Sequence, residues 1–251
     1  MERNEYIFGM RAVMEAIEAG KEIDKIFIKK DLQGDLASEL FELIKQYRIV
    51  SQRVPIERIN KITRKNHQGV VAILSAITYN RLDNIVPQLY EEGLLPFIIV
   101  LDGITDVRNF GAIARTCECA GVDAIVIPER GSVSVGGDAI KTSAGALHHL
   151  PVCREHNIQS AVRFLKENGY QIVAASEKAD ISYTRADYTG PIAIVMGAED
   201  VGISPEVMRL CNTFVSIPQF GHIGSLNVSV AAGVMMYEVV RQRLEADIDI
   251  Q

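Results

Sequence analysis

Three stretches of the 251-residue chain collect glycines and polar side chains that a plain connection between core elements would not need. The first runs Asp102-Gly103-Ile104-Thr105-Asp106-Val107-Arg108-Asn109-Phe110-Gly111 and leads into a helix that carries Arg115. A guanidinium offers five donors in a rigid fork and stays protonated, so Arg115 suits a phosphate or carboxylate better than proton abstraction. Asn109 also reads as a helix N-cap, and Arg115 as a solvated residue opposite the Phe110, Ile113, Cys117 and Ala120 face. The second stretch, Met196-Gly197-Ala198-Glu199-Asp200-Val201-Gly202, sets an acidic pair between glycines that allow close backbone approach or a tight turn. Ser204 and Pro205 then open a helix as N-cap and first residue. The third stretch runs from Ile217-Pro218 through Gly224-Ser225-Leu226-Asn227 and returns to a helix N-terminus, where free N–H groups favour an anionic or polar ligand. Ser225 reads as its N-cap, and Asn227 as an amide inside the apolar helix that must find a partner.

Other chemistries lack their signatures. No G-x-G-x-x-G follows the first strand of the larger half, and neither a Walker A lysine motif nor a G-x-S-x-G elbow occurs. The five histidines show no metal-ligand spacing, so no metal is expected.

The elements that must position these stretches form two patterns. Residues 1–78 alternate short helices (10–19, 36–47, 55–61) with strands (25–28, 49–51, 70–74), as in a small α/β sandwich. Residues 79–95 read as a linker with a helical turn or two near 85–90. From 96 to 251, nearly continuous apolar runs at 97–101, 124–127, 172–174, 192–196 and 213–217 alternate with helices at 109–120, 158–168, 205–210 and 226–243. Continuous runs mark strands covered on both faces, hence a parallel sheet with helices on each side. Ligands of such sheets bind beyond the carboxyl ends of the strands, where all three stretches fall. The glycine-rich 131–137 loop reads as mobile. Residues 210–237 hold no Asp, Glu, Lys or Arg, but their apolar helical part is too short to cross a bilayer, so no membrane is expected. Cys117, Cys119, Cys153 and Cys211 read as reduced core residues, and Met1-Glu2-Arg3-Asn4-Glu5 lacks a signal-peptide pattern, so a cytoplasmic protein is expected.

Taken together, the three stretches resemble the motifs of the SpoU/TrmH family of RNA ribose 2′-O-methyltransferases. The resemblance rests on Asn109-Phe110-Gly111-Ala112-Ile113-Ala114-Arg115, on Ile194-Val195-Met196-Gly197-Ala198-Glu199 with Gly202, and on Ile217-Pro218 with Ser225-Leu226-Asn227-Val228-Ser229-Val230-Ala231. Gly9-Met10-Arg11-Ala12-Val13 and His67-Gln68-Gly69-Val70-Val71-Ala72 are similar to the RNA-binding domain of the branch that acts on large-subunit ribosomal RNA. Asp200, Val201 and the 219–223 loop occupy variable positions, and Gly224 stands where many members of that family place a polar residue.

The resemblance implies an α/β chain with an N-terminal RNA-binding domain and a C-terminal catalytic domain that carries a deep trefoil knot. It implies S-adenosylmethionine as cofactor, held near Met196, Gly197, Ile217, Pro218 and Leu226. It further implies a homodimer with the site completed across the interface, and a guanosine of 23S rRNA as target. Arg115 would hold the RNA phosphate or activate the hydroxyl, and Asn109 would orient Arg115 or the ribose. Glu199 would fix the ligand or steer the proton, while Ser225 and Asn227 maintain the geometry. Alternatives are an inactive relative that serves as an RNA-binding assembly factor, and an enzyme that modifies tRNA.

Charge bears on the partner. The net charge of −6 argues against nucleic acid until it is divided: residues 1–80 carry 13 Lys+Arg and 11 Asp+Glu, a net +2, and the rest carries −8. Between Lys45 and Lys65, seven basic residues face only Glu57. This segment is a solvated basic face or a phosphate-binding patch, with Arg53, Arg58, Arg64, Lys65, His67 and Gln68 as RNA-contact candidates.

Overall fold

A computed structural model of the chain describes residues 6–246. The Met1–Glu5 start lies outside the described residues. The chain divides into two compact units, residues 1–78 with 134–137 and the remainder.

In the first unit, β1 (Tyr6–Phe8), α1 (Met10–Glu18), β2 (Ile23–Lys29), α2 (Asp35–Gln46), β3 (Ser51–Val54), α3 (Ile56–Ile62) and β4 (Val70–Leu74) follow in order. The strands form one sheet in the order β1-β4-β2-β3, with β4 antiparallel to both neighbours and β2 parallel to β3. Val13, Ile17, Leu40 and Ile44 of α1 and α2 pack on Ile26, Ile28, Val70 and Ala72. Ile59 of α3 packs with Phe27, Val54 and Val71, and Phe27 and Val71 alternate with the first set along β2 and β4. The third strand lies at 51–54 rather than 49–51. It is a sheet-edge strand whose Gln52 and Arg53 are exposed, so its apolar pattern is diluted.

In the second unit, α4 (Leu82–Glu91) precedes β5 (Phe97–Asp102), α5 (Val107–Cys119), β6 (Ala124–Pro128), α6 (Gly137–Thr142) and β7 (Val152–Glu155). Next come α7 (Ile158–Glu167), β8 (Gln171–Ala175), β9 (Ile181–Ser182), β10 (Ile192–Gly197), α8 (Pro205–Met208), β11 (Thr213–Ser216) and α9 (Val228–Glu245). The seven strands form an all-parallel sheet in the order β7-β6-β5-β10-β8-β11-β9. Its central strands are buried on both faces, as their unbroken apolar runs require.

Several expectations need correction. Residues 79–95 belong to the second unit instead of linking two domains: Leu82 and Val86 of α4 join its core, and Asn80 N–H donates to Val152 O at 2.9 Å. Pro87 inside α4 disguises the helix by breaking its propensity. The 131–137 loop, expected to be mobile, buries Val133 and Val135, and Val135 O accepts from Ala76 N–H at 2.8 Å. Cys119 is exposed, unlike the other three cysteines. Burial pushes the Cys153 thiol up to about 12 and that of Cys211 to about 11.

The last helix, α9, is anchored at its foot. Arg243 is buried and donates from Nη1 to Leu95 O (2.8 Å) and from Nη2 to Gly190 O (3.0 Å) and Pro96 O (3.3 Å). Desolvation lowers its pKa, and nearby Asp123 opposes that shift. Among the described residues no helix is long and apolar enough to cross a membrane.

Candidate active site

The three polar stretches meet at the carboxyl ends of β5, β10 and β11. Asp106 is the N-cap of α5, because its Oδ1 accepts from Arg108 N–H (2.8 Å) and Asn109 N–H (3.0 Å). These two donors hold its carboxyl below the usual carboxylate range. Asn109 is therefore not the cap, and its side chain is free for other partners. Asn227, expected inside the last helix, is instead the N-cap of α9, where its Oδ1 accepts from Ser229 N–H at 2.9 Å and from Ser229 Oγ–H at 2.5 Å. That fixes the amide so that Nδ2 points away from the helix.

Both asparagines converge on one carboxylate. Glu199 Oε1 accepts from Asn227 Nδ2 at 2.7 Å, from Asn109 Nδ2 at 3.1 Å and more distantly from Val228 N–H at 3.5 Å. Asn227 Nδ2 also donates to Asn109 Oδ1 at 3.1 Å. One residue from each stretch thus closes a hydrogen-bonded triangle. Glu199 Oε2 accepts nothing from the described residues. Ser229, to which its sequence position alone assigns no role, fixes the triangle by donating to Asn227 Oδ1. Its signal was the Asn-x-Ser spacing of a helix cap.

Beside the triangle lies a cavity of about 300 Å³ at the ends of β8, β10 and β11. Met196, Gly197, Ile217, Leu226, Glu199 and Ser225 line it, whereas Pro218 is exposed and outside its wall. Glu177, Glu199 and Asp200 face a single Lys178 in that wall, which favours a cationic ligand. The turn that shapes it needs glycine. A Cβ on Gly197 would sit 2.2 Å from the Gly202 carbonyl carbon, and Gly202 (φ 71°) donates its N–H to Ala198 O at 2.8 Å. These glycines therefore serve a tight turn of the chain itself. Asp102, at the end of β5, accepts from Ser204 N–H at 2.7 Å and ties the same turn to the neighbouring strand.

Arg115 is not part of the triangle. It is exposed, six residues along α5 from Asn109 and so on another helical face, and forms no hydrogen bond or ion pair among the described residues. Ser225 makes no hydrogen bond among the described residues and does not cap α9.

A sequence model of the SpoU rRNA methylase family matches residues 96–237, which include all three stretches. The chain belongs to the SpoU rRNA methylase family. A second model, for RNA 2′-O ribose methyltransferase substrate binding, matches residues 6–80. As a SpoU member the chain is an RNA methyltransferase. It is 38% identical to a protein of Staphylococcus saprophyticus assigned to the TrmH family of tRNA/rRNA methyltransferases, over 94% of this chain and 95% of the relative. Among solved structures, an AdoMet-bound rRNA methyltransferase from Sinorhizobium meliloti superposes with a TM-score of 0.60 at 26% identity, over 94% of this chain and 86% of that one. The A. aeolicus TrmH/SpoU tRNA modifying enzyme matches at 30% identity and a TM-score of 0.56, over 66% of this chain and 86% of that one.

In this SpoU chain the RNA-contact candidates of the first unit divide by environment. Arg53 donates to Lys30 O at 2.9 Å and lies over the Phe41 ring, Arg58 lies over Phe27, and Lys65 over Phe8. Arg64 is exposed and makes no hydrogen bond or ion pair among the described residues. His67 is held inside its domain: Nε2 bonds Asn60 Oδ1 at 2.9 Å, and Nδ1 accepts from Gly69 N–H at 3.0 Å. Gln68 Oε1 accepts from Met10 N–H at 3.2 Å, so these two residues shape the turn before β4.

Proposed function

We propose that this chain transfers a methyl group from S-adenosylmethionine to a ribose 2′-hydroxyl of RNA, its target a guanosine of 23S rRNA. The observation that carries the reading is the Asn109–Glu199–Asn227 triangle at the edge of an acidic cavity. A sulfonium is a cation, and three carboxylates against one ammonium suit it. Met196, Ile217 and Leu226 offer apolar surface to an adenosine.

When bound, S-adenosylmethionine supplies an activated methyl group with a good leaving group already in place. The chain's own task is alignment and removal of the hydroxyl proton. Asn109 and Asn227 hold Glu199 Oε1, which leaves Oε2 to accept a hydrogen bond from the ribose hydroxyl and steer its proton. Arg115 grips the phosphate beside the target ribose through its fork of donors. Ser225 shapes the cavity wall that Glu199 also lines.

The functional unit on this reading is a homodimer, with Arg115 serving the partner's site. Support comes from the separation of Arg115 from Asn109 on α5 and from the apolar stripe that α9 exposes at Val230, Tyr237 and Leu244. The loops after β10 and β11 carry the deep trefoil knot. The first domain, with Arg53, Arg58, Arg64 and Lys65, binds the RNA backbone, and the enzyme works in the cytoplasm.

The test is methyl transfer from labelled S-adenosylmethionine to 23S rRNA and tRNA transcripts, followed by mass-spectrometric mapping. A ribose methyl on a 23S guanosine is expected. Product on tRNA alone would move the substrate assignment. Methylation of a base atom, or of no RNA, would overturn the reading.

A further inference from the structure

The loop between β11 and α9 presents an aromatic ring to water at the mouth of the cavity. Residues 218–226 are all exposed and make no hydrogen bond among the described residues. Gln219 at one end and Ser225 and Leu226 at the other line the cavity, so residues 220–224 form its outer rim. Phe220 is 98% exposed there and Ile223 78%. Val201, which belongs to the cavity wall on the β10–α8 loop, is 80% exposed. Large apolar side chains left in water beside a ligand cavity mark a surface that something else covers.

We propose that Phe220 is a stacking platform for an unpaired nucleobase of the RNA, beside the nucleotide whose ribose enters the site. This rests on the function proposed above. The same loop ends seven residues later at Asn227, which bonds Glu199 Oε1, so the 220–224 rim and the triangle belong to one segment at the cavity. Proteins that grip unpaired RNA stack its bases on aromatic rings, since every base has a π-face. Gly221 and Gly224 lie within the rim with open space where side chains would stand, and the 98% exposure of Phe220 leaves its ring uncovered for a base. Phe220 therefore selects for an unpaired nucleotide next to the target and sets the approach of the RNA, while Glu199 acts on the ribose and Arg115 from a second copy of the chain on its phosphate.

The experiment compares Phe220→Leu, which keeps apolar bulk but loses the ring, with Phe220→Tyr, which keeps the ring. Methyl transfer is measured on in vitro-transcribed 23S rRNA, 16S rRNA and tRNA, S-adenosylmethionine affinity by calorimetry, and oligomeric state by sedimentation. For the RNA that the wild-type protein methylates, Phe220→Leu should raise KM roughly tenfold, with kcat, cofactor affinity and oligomeric state unchanged. Phe220→Tyr should behave as wild type. An unchanged KM in Phe220→Leu would overturn the inference while methyl transfer by the wild type upholds the function beneath it. A shift of Phe220→Leu to a smaller oligomer would also overturn it and make the rim an interface between copies. If the wild type methylates none of the three RNAs, the underlying function fails, and this inference falls with it.

Discussion

Asn227 Nδ2 lies 2.7 Å from Glu199 Oε1 and 3.1 Å from Asn109 Oδ1, so the cap of the last helix also latches two other strand ends together. The three side chains act as one unit. Asn227→Ala should therefore lose two things at once: a helix cap, at a cost of about 1 kcal/mol, and the orientation of Glu199. Glu199→Ala, at an exposed position, should leave the melting temperature nearly unchanged while methyl transfer falls by roughly 100-fold. The Asn109→Ala/Asn227→Ala double variant should lose less activity than the two single losses combined, a non-additivity read from a double-mutant cycle.

The separation of Arg115 from the triangle makes a prediction about mixed subunits. Arg115→Ala should abolish methyl transfer and leave cofactor affinity largely intact. Glu199→Ala, with roughly a hundredth of wild-type activity, should be nearly inactive as well. Unfolded together and refolded, the two inactive chains should recover about a quarter of wild-type activity, since half the dimers are mixed and each holds one complete site. No recovery, with mixed dimers present by native mass spectrometry, would place Arg115 and Glu199 in the same chain's site.

Asp106 gives a pH dependence with a defined sign. Its carboxyl is held low by the N–H groups of Asn109 and Arg108, so its folded pKa lies below its unfolded one. The stabilisation is complete above the ordinary carboxylate value of about 3.9 and is lost as the pH falls through the depressed value. Asp106→Asn still caps α5 but does not titrate. Below about pH 4 its melting temperature should therefore fall less steeply than that of the wild type. Asp106→Ala, without a cap, should melt lower than wild type at neutral pH.

Gly197→Ala probes the turn beneath the cavity. The added methyl would meet the backbone of Gly202 and Ile203 at 2.2 and 2.3 Å, which no rotamer can relieve. The turn must open, and cofactor affinity should fall by at least tenfold while the first unit's fold is untouched. Calorimetric titration with S-adenosylmethionine reads this directly.

The parallel sheet was legible because its central strands carry unbroken apolar runs, and the register of β5, β10 and β8 follows them. What escaped was short or polar. β9 is two residues long, β7 ends in Arg154 and Glu155, and α4 contains a proline. At the site, Asn109, Glu199 and Asn227 were named from sequence, but the helix caps beside them shifted by a few residues. Asp106 took the cap expected of Asn109, and Asn227 took that expected of Ser225. Helix starts depend on which of several neighbouring polar side chains reaches the free N–H groups, and periodicity is silent about that. Gly197 and Gly202 carried two readings from sequence: the backbone contact between them requires glycine for the turn, and both also line the cavity.

The last helix joins distant parts of this chemistry. It starts at Asn227, one corner of the triangle, and runs 18 residues, about 27 Å, to a buried arginine that holds the carbonyls of Leu95, Pro96 and Gly190. A stiff rod pinned at its base transmits displacement to its tip. Loosening Arg243 would therefore tilt the Asn227 amide away from Glu199, so the methyl-transfer geometry has a remote handle at the opposite end of the sheet's strands.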